Sequence, residues 1–147
     1  MNLPALEAQL AIDEGKRLKA YLDSVGILSV GIGHNCKASP VPGVTKPGDT
    51  ISEETCADLF AEDIADTIAQ LDDNLPWWTG MDDARQNVLA NMCFNMGIGT
   101  LLTFKNTLAA MERGDYKAAA EGMAASKWAK QVGARAARLC LIMRGDK

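Results

Sequence analysis

Two carboxylates near the start of the chain stand at a spacing that could support acid–base chemistry. Glu14 and Asp23 are nine residues apart in a sequence of 147 residues, across a predicted turn from a helix into a strand. Such a turn can aim both side chains at one space. Hydrolysis of a glycosidic bond needs a pair of carboxyl groups, one protonated for the leaving oxygen and one acting as base or nucleophile. The spacing alone is weak support, because two acids this close in sequence are usually surface charges.

The histidine and the cysteines do not form a pattern typical of a metal site. His34 is the one histidine and ends the segment Gly31-Ile32-Gly33-His34. A single histidine is more often a structural hydrogen-bonding residue than a catalyst. No two cysteines have CxxC spacing, so we expect no zinc site, and Cys56 and Cys93 fall in apolar helical patterns typical of core residues.

Composition and charge narrow the class of protein. The chain is 48% hydrophobic and 23% charged, which is ordinary for a soluble globular protein, and only 5% aromatic. Its net charge of −4 argues against a nucleic-acid partner. The charge is uneven, because residues 49–83 hold eleven acidic side chains and no lysine or arginine. Residues 117–147 hold seven basic and two acidic ones. We expect no membrane anchor and no cleavable signal, since no apolar run approaches about 18 residues.

Hydrophobic periodicity and turn residues outline an α+β fold that is mostly helical. They predict a first helix over 2–14, a β-hairpin between 21 and 35, and an irregular loop with one edge strand over 36–50. A long helix over 52–73 is expected to bridge a small α+β lobe (13–51) and an all-α lobe (74–147), with helix 2–14 packing on the latter. In the all-α lobe we expect helices at about 82–97, 104–113, 115–125 and 134–143.

The chemistry-bearing segments, read in full, resemble the bacteriophage T4-type lysozymes of glycoside hydrolase family 24. The family pattern Glu-Gly-x-x-Leu-x-x-Tyr-x-Asp, then Gly, then Thr-x-Gly-x-Gly-His is matched from Glu14 to His34, except that Ser29 replaces threonine. Later landmarks follow in order, and the resemblance covers nearly the whole chain. They are Asn91-Met92-Cys93-Phe94-Asn95-Met96-Gly97, Phe104-Lys105-Asn106-Thr107-Leu108, Ser126-Lys127-Trp128 and Ala134-Arg135-Ala136.

The resemblance implies an N-acetylmuramidase of a single catalytic domain with a lysozyme-like fold. Glu14 would be the general acid at the bond between N-acetylmuramic acid and N-acetylglucosamine. Asp23 and Ser29 would hold the attacking water, which inverts the anomeric centre. Serine keeps the hydroxyl group of threonine and loses the methyl group that restricts its rotamer. No cofactor and no metal are implied.

The resemblance also assigns supporting and substrate-binding residues. It places Arg135 near Glu14, Arg138 near Asp13, and His34 in a pair with Asp63. Two departures concern substrate contacts: asparagine replaces glutamine at position 95, and Gly122 replaces an asparagine. Trp128 is expected to pack in the all-α lobe, and one of the adjacent Trp77 and Trp78 is expected to be exposed. The expected substrate-binding residues are Asn35, Phe94, Asn95 and Thr107.

The interpretation that follows is a phage or prophage endolysin acting on peptidoglycan glycan strands. We expect a monomer that accumulates in the host cytoplasm and reaches the periplasm through a holin, since the sequence shows no signal or fused wall-binding domain. The alternatives are a lytic transglycosylase, an inactive wall-binding or structural module, and, more remotely, a chitin- or chitosan-directed hydrolase. The basic side chains Lys127, Lys130, Arg135 and Arg138 predict a locally positive cleft on an acidic protein.

Overall fold

The computed structural model describes residues 1–145, which fold into an α+β structure dominated by helices. Among these residues there are eight α-helices, one 3-10 helix and three short strands. The helices are α1 (Leu3–Glu14), α2 (Glu53–Asn74), α3 (Asp83–Met96), α4 (Ile98–Leu101), α5 (Lys105–Glu112), α6 (Tyr116–Ala124), α7 (Lys127–Val132) and α8 (Ala134–Arg144), with the 3-10 helix at Pro76–Gly80. The strands are β1 (Arg17–Leu22), β2 (Leu28–Gly31) and β3 (His34–Asn35). The predicted fold class is confirmed.

The chain divides into two compact units. We call Glu7–Asp66 the carboxylate unit, because it contains Glu14 and Asp23. The helical unit comprises Met1–Leu6 and the residues from Thr67 onward. Both α1 and α2 have residues in each unit.

A small antiparallel sheet forms the centre of the carboxylate unit. Its strand order is β1-β2-β3, and an irregularity in the β1–β2 register lies between Arg17 and Tyr21. The inward-facing side chains of the sheet and apolar side chains of the following loop form a small apolar cluster, which buries one face of the sheet. This cluster consists of Ala20, Val30, Cys36, Val41 and Val44.

The long helix α2 begins and ends where its sequence predicts. The Ser52 hydroxyl oxygen accepts a hydrogen bond from the backbone N–H of Thr55 (3.0 Å), which satisfies one of the first free donors of the helix. Glu53 and Glu54 occupy the first turn, where negative charge is favoured by the helix dipole. The helix ends at Asn74, two residues before Pro76, which cannot supply a backbone N–H.

Side-chain caps start three of the helices in the helical unit. The carboxylates of Asp82 and Asp115 and the hydroxyl of Ser126 each accept a hydrogen bond from a backbone N–H three residues later. The core they surround is rich in methionine. Its buried members include Trp78, Leu89, Leu139, Met81, Met92, Met111, Met123 and Met143.

The differences from the predicted elements are mainly short pieces. The structure adds α4, α7 and the 3-10 helix, none longer than six residues, because such segments are too short to show a clear hydrophobic period. Strand β1 starts at Arg17, four residues earlier than expected. The expected edge strand is reduced to an isolated bridge between Lys19 and Thr50. In the described part of the chain, no helix is long and apolar enough to cross a bilayer.

Candidate active site

Glu14 is held at the end of α1 and packs against the turn between β2 and β3. The helix ends because Gly15 takes a positive φ of 72°, and the Gly15 N–H donates to the Ala11 carbonyl (3.0 Å). The Glu14 side chain then lies along Gly33. A Cβ atom built at Gly33 would fall 2.7 Å from Oε1 and 2.9 Å from both Cδ and Cγ of Glu14. Helix α1 and the sheet therefore fix this carboxyl group together.

Asp23 opens the tight turn between β1 and β2. Its Oδ1 accepts hydrogen bonds from the backbone N–H groups of Val25 and Ile27, each 2.9 Å long. Its own N–H donates to the Ile27 carbonyl (2.9 Å), and its carbonyl accepts from the Gly26 N–H (3.0 Å). One carboxylate oxygen thus builds the turn, while Oδ2 takes no part in it and is the oxygen suited to act as a base.

Ser29 lies on β2, close to this turn in sequence, and is only 5% exposed. Its hydroxyl donates to the Ile27 carbonyl at 3.2 Å. The turn that positions Asp23 therefore also orients Ser29. With the hydrogen committed to Ile27, the hydroxyl oxygen presents its lone pairs as acceptors.

The pKa of Tyr21 responds to both carboxylates. Burial raises the pKa of Tyr21, and the negative charges of Glu14 and Asp23 raise it further. Arg17, whose guanidinium carbon lies 3.9 Å from the centre of the Tyr21 ring, acts in the opposite direction. A single phenol thus lies within electrostatic range of both acids.

His34 is the first residue of β3 and is 3% exposed. Its Nδ1 is 2.7 Å from Oδ2 of Asp63 on α2, and its Nε2 is 2.8 Å from the carbonyl oxygen of Ser39. Both partners are acceptors, so the ring satisfies both when it carries two hydrogens and is positively charged. The hydrogen bond to Asp63 raises the pKa of His34, while burial alone would lower it. This contact is the pair that the resemblance implies, and it ties the sheet to α2.

Asn35 is exposed, and its side-chain oxygen is used locally. Oδ1 accepts from the backbone N–H groups of Lys37 (2.9 Å) and Ala38 (3.0 Å). The side chain therefore shapes the loop after β3. Its amide nitrogen is the group left to donate to a sugar, and a substrate contact by Asn35 stays a prediction.

The helical unit carries a groove of about 910 Å³ beside α5, α6 and α7. Thr107, expected to bind substrate, is 7% exposed and contributes to the groove lining. Its hydroxyl occupies the space that a side chain at Gly122 would take. The groove is lined by apolar and uncharged polar groups with two lysines, Lys105 and Lys127.

Asn95 and Trp128 form a pair within the helical unit. The indole Nε1 of Trp128 donates to Oδ1 of Asn95 at 2.7 Å, and the indole is 5% exposed. This confirms that Trp128 packs in the lobe. Trp78 is buried and Trp77 is half-buried, so the two adjacent rings differ in exposure. Phe94, beside Asn95, is also half-buried.

Arg135 is anchored by a buried asparagine. Its Nε and Nη2 both donate to Oδ1 of Asn91, at 3.0 and 2.8 Å, and Asn91 is fully buried. The pairings of Arg135 with Glu14 and of Arg138 with Asp13 stay predictions.

Sequence reasoning missed three contributors to these arrangements. Gly33 packs against the Glu14 side chain, Tyr21 lies within electrostatic range of both acids, and Asn91 accepts hydrogen bonds from Arg135. All three lie within the family motifs described above, so the sequence indicates their positions. Only the structure shows their contacts. The expectation that Cys56 and Cys93 are core residues is confirmed, and burial raises the pKa of the Cys93 thiol to about 11. Over residues 1–145, no cluster of three or more His, Cys, Asp or Glu side chains could hold a metal ion.

Comparison with known proteins identifies the family of the chain. The model of the phage lysozyme family matches residues 11–144. The chain is 32% identical to the pre-baseplate central spike protein Gp5 of Enterobacteria phage T4, over 95% of the chain and only 27% of Gp5. It is 26% identical to the probable T4-type lysozyme 1 of Dictyostelium discoideum, over 95% of the chain and 93% of the relative. It is 31% identical to the endolysin of Salmonella phage P22, over 77% and 74%. The chain therefore belongs to the phage lysozyme family, and residues 11–144 form a lysozyme-class hydrolase domain.

Proposed function

We propose that this protein hydrolyses peptidoglycan as an inverting N-acetylmuramidase, with Glu14 as general acid and Asp23 as the base that activates water. The observation that carries the proposal is that both carboxylates lie within electrostatic range of Tyr21, with Asp23 bonded into the β1–β2 turn and Glu14 packed on Gly33. The bond cut is the β-1,4 linkage between N-acetylmuramic acid and N-acetylglucosamine. Family membership supports this substrate class.

The turn at Asp23 suggests how the nucleophile is held. A water molecule donates one hydrogen to Oδ2 of Asp23 and the other to the oxygen of Ser29. Its lone pair then points away from both groups, towards the anomeric carbon. Ser29 suits this role because its own hydrogen is engaged by the Ile27 carbonyl. The backbone hydrogen bonds to Oδ1 prevent Asp23 from rotating out of line.

The two acids divide the proton transfers of the chemical step between them. The Glu14 carboxyl gives its proton to the glycosidic oxygen, and the bond from that oxygen to the anomeric carbon breaks. Water adds to the opposite face of the sugar, and Asp23 takes the proton that water loses. The product is a reducing end of inverted configuration.

Substrate contacts are proposed for both units. Asn35 lies in the carboxylate unit, and Phe94, Asn95 and Thr107 lie in the helical unit. Since Oδ1 of Asn95 is occupied by Trp128, its amide N–H groups face the substrate as donors. They suit an acceptor such as the carbonyl oxygen of an acetamido group. The proposal needs no metal or cofactor.

Two conservative substitutions test the acids. Glu14→Gln removes the proton donor at constant shape, and we expect it to abolish clearing of outer-membrane-stripped cells. Asp23→Asn keeps the Oδ1 acceptor that builds the turn, so it should fold normally and still lose at least about 100-fold in rate. The control is Asp58→Asn, an exposed carboxylate on α2, with unchanged clearing. Full lysis by either active-site variant would contradict the assigned roles.

Product analysis separates hydrolysis from the lytic transglycosylase alternative. A transglycosylase uses the muramoyl hydroxyl as nucleophile and leaves anhydro ends, lighter by one water molecule. We expect reducing ends by mass spectrometry of digested peptidoglycan, because the nucleophile of the proposed mechanism is a water molecule held by Asp23 and Ser29. Clearing without bond cleavage would instead indicate a wall-binding module.

The biological setting we propose is host lysis, with a soluble monomer released from the host cytoplasm to the periplasm by a holin. The likeness to the P22 endolysin supports this setting. The likeness to Gp5, a spike protein nearly four times as long as the matched region, favours a second setting, in which the domain is part of a phage particle. Immunodetection distinguishes the two. A lysis enzyme is found in the soluble fraction of the lysate, and a particle component is found in purified virions.

A further inference from the structure

Gly33 lies where a side chain would collide with the proposed general acid. Three successive atoms of Glu14, from Cγ to Oε1, lie within 2.9 Å of the position that a Cβ at residue 33 would occupy. Carbon atoms in normal contact are about 3.5–4.0 Å apart. The Glu14 side chain therefore lies flat on the bare backbone of Gly33.

The turn under Glu14 is anchored by strand pairing and by a buried side chain. Position 33 is the last of three residues between Val30 and His34, which face each other in the pairing of β2 with β3. The buried His34 ring, bonded to Asp63 and to Ser39, anchors the far side of this turn. Glu14, in contrast, is the last residue of a helix and has a flexible side chain. If a Cβ were added at position 33, Glu14 would be the part to move.

Resting on the function proposed above, we propose that Gly33 is a positioning residue for the general acid. The absence of a side chain at position 33 leaves the space in which the Glu14 carboxyl group lies. A Cβ at position 33 would displace the Glu14 carboxyl group by about the distance of its overlap with Glu14, while the fold remains. A displacement near 1 Å at a reacting group can cost on the order of 100-fold in rate.

Gly31 provides a matched control for backbone strain. Its φ of 69° is close to the 66° of Gly33, so an L-residue is strained similarly at either position. A Cβ at Gly31 would meet nothing closer than Cys56 Sγ at 3.5 Å and Ile51 Cδ1 at 3.7 Å, which are ordinary contacts. The two glycines thus differ in what a Cβ touches and hardly at all in conformation.

The test compares Ala and Asn at both positions. Asn tolerates positive φ better than Ala but has the same Cβ. We expect Gly31→Ala and Gly33→Ala to lower Tm by similar amounts, and only the latter to lose about 100-fold in kcat on soluble glycan fragments. We expect Gly33→Asn to regain part of the Tm and none of the rate. KM should change little in the Gly33 variants, because the displaced group is the proposed general acid and not a substrate-binding residue.

The outcomes are separable from those of the proposed function. Equal kcat losses at positions 31 and 33, or recovery of rate by Gly33→Asn, would show that strain is the cause and would overturn the positioning role. In a Glu14→Gln background, adding Gly33→Ala should change the residual rate less than about twofold, because effects that act through one group are not additive. If Glu14→Gln remains fully active, the proposed general acid is wrong. If Glu14→Gln is inactive and Gly33→Asn is fully active, only the positioning role is wrong.

Discussion

The carboxylate unit and the helical unit hold their functional polar side chains by different means. In the first, Asp23 and Asn35 bond to backbone N–H groups two to four residues away. In the second, the bonds from Trp128 to Asn95 and from Arg135 to Asn91 join side chains 33 and 44 residues apart. Asp23 is thus set by a local turn, whereas Asn95 and Arg135 depend on the packing of several helices.

This difference has a mechanistic consequence. A turn held by its own backbone keeps its geometry when distant packing changes, so Asp23 is buffered against substitutions elsewhere. Side-chain pairs between helices shift whenever either helix shifts. We therefore expect the binding surface to vary more readily than the acids, and Asn95 and Gly122 are already departures from the family pattern.

The prediction with the largest expected effect concerns the pair of His34 and Asp63, which are 29 residues apart within the carboxylate unit. His34→Ala leaves the Asp63 carboxylate and the Ser39 carbonyl without their buried partner. We expect a loss of about 3–5 kcal/mol in the free energy of unfolding, the usual result of breaking a buried charged pair. Urea unfolding measures it. Arg113→Gln, which breaks an exposed pair with Asp115, is the control and should leave the midpoint nearly unchanged. A small loss for His34→Ala would mean that local turns suffice in this unit.

The second test is the pH dependence of the same link. The pKa of His34 in the folded protein is raised above its ordinary value of 6.5, chiefly by the hydrogen bond to Asp63. Its contribution is therefore fully present below pH 6.5 and is lost as pH rises through the raised folded value. The difference in Tm between the unmodified protein and His34→Ala should shrink from pH 6 towards alkaline pH. A difference that grows over this range has the wrong sign for a paired imidazolium.

The third test addresses the helical unit. Trp128→Phe keeps the ring buried and removes the Nε1 donor, which leaves Oδ1 of Asn95 without its indole partner. We expect a loss of about 1–3 kcal/mol in stability, with KM raised more than kcat is lowered. Steady-state kinetics on glycan fragments measures this split. A fall in kcat alone would place Trp128 with the reacting groups and would remove the contrast between the units.

The smallest test concerns a local bond within the helical unit. Asp115→Ala removes the cap of α6, whose carboxylate accepts from the Ala118 N–H, and should cost about 1 kcal/mol. Asp115→Asn retains an acceptor and should cost less. Thermal unfolding compares the two. Equal losses would indicate that the charge of Asp115, rather than its cap, stabilises the helix.

The same contrast explains what the sequence could predict. The caps at Ser52, Asp82 and Asp115 and the hairpin were predictable, because each is signalled by residues a few positions apart. The role of Asn91 was not, since nothing local marks an asparagine as the partner of an arginine 44 residues later. Gly33 lies between these cases: its turn was predictable, but its contact with Glu14 was not.

The methionine-rich core makes the two units chemically distinguishable. Residues 7–66 contain no methionine, whereas Met81, Met92, Met111, Met123 and Met143 are all buried in the helical unit. Peroxide can oxidise a buried thioether only after local opening, so the rate of sulfoxide formation at these sites reports opening of the helical unit alone. The buried thiols of Cys36 and Cys56 give the complementary signal for the carboxylate unit. The chain thus carries its own set of reporters, with which the opening of each half can be timed separately without any added label.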